Sequence, residues 1–190
     1  MSRRPTRREL RARLIAERQA LAPAVHARLS AALDAALDAR FPPGAVGLIA
    51  GYWPIRGEFD PRPYLNRILA AGGEVALPVV TGPGAPLSFR RWGPEAAMEI
   101  GLWNIPHPAA GPEVTPDTLL IPLVGFDAGG HRLGYGGGFF DRTLAALRPR
   151  PLAVGLAFEL GRLASLAARS HDFPMDVVVT EAGSFESRHA

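Results

Sequence analysis

The stretch of this 190-residue chain with the clearest chemical potential is Arg132-Leu133-Gly134-Tyr135-Gly136-Gly137-Gly138-Phe139-Phe140-Asp141-Arg142. Its glycines fall between an apolar, strand-like run and a helix-like one. Backbone without Cβ atoms can turn through positive φ and lay its N–H groups against an anion, and the next helix adds the unpaired donors of its first turn. Arg132 and Arg142 bring positive charge to both flanks. Asp141 falls in the first helical turn, where it either caps the helix or holds a divalent cation beside phosphate oxygens. The pattern is not a Walker A loop, since no Lys-Ser/Thr follows the glycines. Nor is it a dinucleotide fingerprint, because Phe139 stands where the third glycine belongs. A glycine turn that serves only the close packing of helix on sheet has the same composition, and the residue types leave both readings open.

Composition narrows the chemistry. The chain has no cysteine, which excludes disulfides, zinc–thiolate sites, iron–sulfur clusters and a thiolate nucleophile. With 47 % hydrophobic residues it can bury an ordinary core. No apolar run approaches the roughly 18–20 residues that span a bilayer. MSRRPTRREL at the start lacks the apolar stretch of a secretory signal, so a single cytoplasmic domain is expected. All 21 basic residues are arginine, and the formal charge is +3. Residues 1–40 hold nine arginines against Glu9, Glu17, Asp34 and Asp38, an excess of five, so the remaining 150 residues are net −2. Charge gathered on one terminal element points to a local anion site more than to a nucleic-acid surface.

The elements that must position these residues follow from periodicity. Leu10 and Leu14 mark a first helix over 7–18. Val25, Leu29, Leu33, Leu37 and Phe41, each four apart, mark a second, which Pro42-Pro43-Gly44 ends. Residues 46–53 read as a buried strand, 63–71 as a helix and 74–80 as a strand, a βαβ unit. Residues 87–92 read as an edge strand or hairpin arm, and 93–117 as an ordered surface loop. Residues 118–126 (strand), 139–147 (helix) and 151–158 (strand) make a second βαβ unit. A helix over 161–169 and a last strand over 176–180 complete the expectation. The fold class is α/β in three layers, a mostly parallel sheet flanked by helices, with an N-terminal helical arm over 1–42 and the α/β core over 45–183.

Residues 121–142, IPLVGFDAGGHRLGYGGGFFDR, resemble the signature of the 5-formyltetrahydrofolate cyclo-ligases, also called 5,10-methenyltetrahydrofolate synthetases. The resemblance extends to the arginine-rich first helix, Gly57-Glu58-Phe59-Asp60, Trp103-Asn104-Ile105-Pro106 and His171-Asp172-Phe173-Pro174, in that order. It implies ring closure of 5-formyltetrahydrofolate to 5,10-methenyltetrahydrofolate, dependent on ATP and Mg²⁺, with release of ADP and phosphate. Such chemistry asks the protein mainly for positioning and charge neutralisation.

The resemblance also assigns residues. Arg3 and Arg7 stand where the family places bases that reach the nucleotide, and Arg132 is the candidate for stabilising transferring phosphoryl charge. Leu133, Gly134, Tyr135, Gly136, Gly137, Gly138, Phe139 and Phe140 would line the nucleotide, and Tyr135 through Phe139 would also border the folate. Asp141 and Asp172 match a metal-binding pair, with Asp176 as the rival second ligand. Glu58 matches a folate-contacting glutamate suited to the amino and ring N–H groups of a pterin, and Trp53 and Trp103 are candidate apolar walls. Phe139-Phe140 departs from the tyrosines of many relatives, and Tyr135 and Gly137 stand where some carry Arg and Lys. Without the resemblance each residue has a plainer reading: solvated helix arginines, a loop acid at Glu58, a core tryptophan at Trp53. The histidines lack metal spacing, and His107 and His171 read as surface residues.

Two rival functions remain at this stage. One is RNA binding through the basic N-terminal helix, which the net-negative remainder and the lack of an RNP-like aromatic pattern oppose. The other is an ATP-binding relative acting on a different folate-like or formylated compound. The expected partner is a small-molecule substrate, with no membrane, no nucleic acid and a monomeric chain.

Overall fold

The computed structural model describes residues 5–167, 169 and 172–187, so Arg3 and His171 lie outside the described residues. Helix α1 (Arg7–Gln19) starts at a capping box: the Thr6 side chain accepts from the Glu9 N–H while the Glu9 carboxylate accepts from the Thr6 N–H. Helix α2 (Pro23–Arg40) begins with proline, whose missing N–H costs nothing in the first turn, and ends at Phe41 ahead of Pro42-Pro43.

The central sheet has seven strands: β1 (Leu48–Ala50), β2 (Glu74–Val80), β3 (Leu87–Arg91), β6 (Thr118–Pro122), β9 (Leu152–Leu156), β10 (Val177–Thr180) and β11 (Gly183–Glu186). Between them come two small antiparallel pairs, β4 (Met98–Ile100) with β5 (Pro106–Pro108), and β7 (Gly125–Phe126) with β8 (Arg132–Leu133). The order across the sheet is β11-β10-β9-β6-β1-β2-β3. Its inner pairs are parallel, and β3 and β11 run antiparallel at the two edges. Helices α3 (Arg62–Ala70) and α4 (Phe139–Ala146) are the crossovers of the two βαβ units.

Alternation along the strands separates two cores. Ile49, Val75, Leu77, Leu120, Val154, Val177 and Val179 face α2 and α3, where Leu33, Leu37, Tyr64, Leu65 and Ile68 are fully buried. Ala50, Ala76, Leu119, Ile121, Ala153 and Val178 face the other way, with Leu144 of α4. The N-terminal helical arm is therefore packed down: α2 covers β10 and β11, and each of Leu33 and Leu37 contributes about 2 kcal/mol of apolar burial. Leu14 of α1 closes a third cluster with Val124, Leu133 and Leu166.

Several local expectations change. The strand expected over 118–126 ends at Pro122; the chain then leaves the sheet and resumes as β7. The strand expected over 46–53 shortens to β1. The loop over 93–117 contains the β4–β5 hairpin. The expected helix over 161–169 is not formed in its described part; a single turn at Glu159–Gly161 is followed by irregular chain. That chain is tied down by Asp127, whose Oδ2 accepts from the Leu166 N–H at 2.8 Å. A further strand, β11, follows the one expected to be last.

Candidate active site

The chain leaves β1 toward β2 on one side and leaves β6 toward β9 on the other, so the sheet's switch point lies between β1 and β6. Ligands of open α/β sheets bind outside the carboxyl ends of the strands at such a point. From β1 the chain enters the loop that carries Glu58. From β6 it enters the β7–β8 hairpin, which carries Arg132 and delivers the glycine segment.

At the glycine segment, Gly136 (φ 95°) and Gly138 (φ 67°) sit in the left-handed region, and Gly138 caps α4 without a side-chain bond. Asp141 does not cap the helix. Among the described residues, the N–H groups of residues 134–141 donate no hydrogen bond. They form a continuous array of donors running into the positive end of α4. Arginines surround it. Arg11 donates from Nε to the Gly134 carbonyl at 2.6 Å, and its guanidinium lies against Gly136. Arg142 donates to the Gly137 carbonyl at 2.8 Å. Arg7 donates to the Arg132 carbonyl at 3.1 Å and to Asp172 Oδ2 at 2.7 Å. Arg132, buried, donates to Asp141 Oδ1 at 2.6 Å and to the Phe173 carbonyl at 2.5 Å. Burial pulls the Arg132 pKa below the ordinary arginine value while Asp141 opposes it. Burial, then the neighbouring Arg7, do the same to Arg11. Clustered, partly dehydrated cations beside free backbone donors are electrostatically suited to a polyanion.

Asp141 also accepts from the Phe173 N–H at 3.1 Å, which brings its carboxylate beside the residue that follows Asp172, while Asp172 itself pairs with Arg7. Asp176 faces elsewhere, accepting from the Ala153 N–H at 2.7 Å and from Arg150 at 3.0 Å. Two hard carboxylates beside an array of free backbone donors have the donor type that suits Mg²⁺, which takes one or two protein carboxylates and fills its remaining positions with other oxygens. Among the described residues no group of three or more metal-ligating side chains gathers, so protein atoms alone do not form a closed cage.

The other side of the glycine segment meets Glu58. Tyr135 donates its hydroxyl proton to Glu58 Oε1 at 2.7 Å, and the Ile55 N–H donates to Oε2 at 2.8 Å. Left-handed Arg56 (φ 50°) and Gly57 (φ 74°) make the turn that aims this carboxylate inward. Burial raises the Glu58 pKa, and the Tyr135 bond, the Ile55 bond and the charges of Arg18 and Arg56 act against that rise.

The aromatic residues divide. Trp103 is 62 % exposed and meets Phe139 edge-on at 5.4 Å, held by left-handed φ of 59° and 58° at itself and Asn104. With Leu102, Ile105, His107 and Phe139 it lines an apolar cleft of about 120 Å³. His107 is thus a cleft residue, its side chain only 13 % exposed, and not the surface residue expected. Trp53 lies under the Arg62 guanidinium at 4.3 Å and borders a different cleft with Trp92, so the two tryptophans do not wall one site. Leu133 and Phe140 point into apolar clusters, which leaves only their backbone to face a ligand. Arg11 and Arg18 escaped the sequence reading. The signal was present, since Arg7, Arg11, Leu14 and Arg18 fall on one face of α1 at alternating spacings of four and three.

Comparison with known proteins gives the family. The sequence pattern of the 5-formyltetrahydrofolate cyclo-ligase family matches residues 3–181. The 5-formyltetrahydrofolate cyclo-ligase of Escherichia coli K12 is 32 % identical over 154 residues, covering 77 % of this chain and 85 % of that protein. The protein of the same name from Haemophilus influenzae is 34 % identical over 140 residues, 69 % of this chain and 74 % of its own. The NMR structure of Aquifex aeolicus 5,10-methenyltetrahydrofolate synthetase superposes with a TM-score of 0.83 at 31 % identity, covering 97 % of this chain and 94 % of that one. The chain belongs to the 5-formyltetrahydrofolate cyclo-ligase family.

Proposed function

We propose that this protein uses ATP to close 5-formyltetrahydrofolate to 5,10-methenyltetrahydrofolate, releasing ADP and phosphate. One observation carries the reading: the glycine segment offers free backbone donors among arginines and, through Tyr135, reaches the buried Glu58 carboxylate. A single loop thus serves a phosphate chain and a substrate rich in N–H donors.

The formyl oxygen is a poor leaving group. Its attack on the γ-phosphorus forms an O–P bond as the bond to ADP breaks; N10 then adds to the formyl carbon and gives up its proton, which leaves with the phosphate as that carbon–oxygen bond breaks. The donors of residues 134–141 would hold phosphate oxygens in line, while Arg132 and Arg7 neutralise charge that grows on the transferring group. Asp141 and Asp172 would hold Mg²⁺, which would supply Lewis-acid withdrawal of the charge that grows on the transferring group. Glu58 would accept from the pterin N–H groups and fix the ring, with Trp103 and Phe139 as the apolar wall. No helix in the described chain is long and apolar enough to cross a membrane. The same reading has the protein acting in the cytoplasm, as a monomer, on a small-molecule substrate.

The test is the near-ultraviolet absorbance of the methenyl product after mixing with 5-formyltetrahydrofolate, with and without Mg-ATP. Product that requires both supports the reading. A flat trace from folded protein that still binds ATP refutes the substrate and leaves the nucleotide site.

A further inference from the structure

Arg18 is one of the most buried charged residues of the chain, and neither the motif nor the phosphate cradle uses it. It leaves the last turn of α1 and enters the switch point. Its Nε donates to the Arg56 carbonyl at 3.0 Å, and one terminal nitrogen donates to the Leu123 carbonyl at 3.3 Å. The other donates to the Tyr135 hydroxyl at 2.6 Å and stands 3.9 Å from Glu58 Oε1. One guanidinium therefore joins the helix, the loop after β1, the chain after β6 and the glycine segment.

The polarity of this chain of bonds is fixed by chemistry. A guanidinium only donates. The Tyr135 oxygen is therefore an acceptor toward Arg18, and its single proton is turned to Glu58. The Ile55 N–H can only donate as well. Both oxygens of Glu58 consequently face donors, hydrogen bonding that favours the carboxylate and works against the burial that raises its pKa. We propose that Arg18 is a positioning residue for the pterin-binding site, holding Glu58 ionised and correctly turned by acting through Tyr135. The role of Glu58 toward the pterin rests on the function proposed above; the relay itself does not.

The groups facing Glu58 are Arg18 from α1, Tyr135 from the glycine segment, Arg56 from its own loop, and Tyr52, whose hydroxyl donates to the Phe59 carbonyl beside it. Arg18 is the one among them that both carries positive charge and directs the Tyr135 proton. Burial pushes the Glu58 carboxyl toward protonation, so loss of Arg18 releases that tendency.

The experiment is carboxyl-carbon NMR of the protein grown with isotope-labelled glutamate, with Glu58→Gln used to assign the Glu58 signal. Arg18→Gln removes the charge and Arg18→Lys keeps it. Tyr135→Phe deletes the relay while sparing the two carbonyl bonds of Arg18. The Glu58 midpoint is expected to rise in Arg18→Gln and Tyr135→Phe, and to rise less in Arg18→Lys. In turnover, Arg18→Gln should raise the KM for the folate about tenfold, the scale of one hydrogen bond to a charged group, with the KM for ATP little changed. Its acid limb should move to higher pH, and Arg18→Lys should restore part of both effects. A Glu58 midpoint unchanged in folded Arg18→Gln overturns the proposal, whatever Tyr135→Phe shows, because Tyr135 also bonds Glu58 directly; if Arg18→Gln does not fold, Arg18→Lys decides, and a midpoint equal to the parent's together with an unchanged KM for the folate overturns it. A shifted midpoint in a protein that does not turn over 5-formyltetrahydrofolate refutes the substrate reading and leaves the relay standing.

Discussion

Replacing Asp141 by Asn tests the metal-holding role while nearly preserving shape. Asp141 Oδ1 accepts from the buried Arg132 at 2.6 Å and from the Phe173 N–H at 3.1 Å. Asparagine keeps an acceptor oxygen in the same place, so one change is the loss of charge opposite Arg132. Weakening a charge-assisted bond to a neutral one costs about 1–2 kcal/mol. In a chain of this size that lowers the melting temperature by roughly 2–8 °C and leaves the fold intact. Turnover should fall far more. A metal at transferring phosphoryl oxygens supplies several kcal/mol, so loss of one of two carboxylate ligands should lower kcat by about a hundredfold or more. The assay is methenyl formation across a Mg²⁺ titration, paired with a thermal melt. Asp176→Asn is the control, since its carboxylate holds the Ala153 N–H and Arg150 and should affect the melt but not the Mg²⁺ response. Folded Asp141→Asn with an unchanged Mg²⁺ midpoint and unchanged turnover refutes the assignment.

Other consequences can be measured as directly. Trp103→Ala removes an exposed ring whose main contact is Phe139, so the melting temperature should drop by no more than about 4 °C, while the KM for the folate rises severalfold and that for ATP does not; equal rises in both would refute a wall on the folate side. Gly130→Ala forces a side chain onto φ 75° and puts its Cβ 2.7 Å from the Met175 carbonyl, so it should destabilise by about 2–4 kcal/mol in chemical denaturation; a loss below about 0.5 kcal/mol would contradict that geometry. Glu58, with a raised native pKa, contributes stability that is complete below the unfolded value near 4.5 and is lost as pH rises through the native value. The melting temperature of Glu58→Gln minus that of the parent should therefore climb as pH rises through that window, and a flat difference would refute the buried carboxylate.

Much of the architecture was legible because single segments carried strong periods. The four-residue spacing of Leu33, Leu37 and Phe41 marks the buried stripe of α2, and the apolar run at 74–80 coincides with β2 because it is flanked by Gly72-Gly73 and a turn. Legibility failed where distant contacts decide. Gly183–Glu186 has no strand-like pattern of its own and pairs because β10 offers it an open edge. Residues 163–167 have helical composition, yet Asp127 captures the Leu166 N–H that a helix would need. By composition the glycine segment left a phosphate loop and a plain packing turn both open, and the resemblance supplied Asp172 and Glu58, which local sequence marks weakly. The spacing on α1 could place Arg18 on the face of Arg7, Arg11 and Leu14 but not weigh it, since its value comes from three acceptors brought together only by folding.

The bond between Arg7 and Asp172 spans 165 positions of sequence. A bond across so many positions makes this corner of the candidate site a property of the whole fold and of no single segment. A chain nicked in a loop between the two residues would keep both of them, and their pairing would then depend on whether the pieces stay associated through the sheet they share.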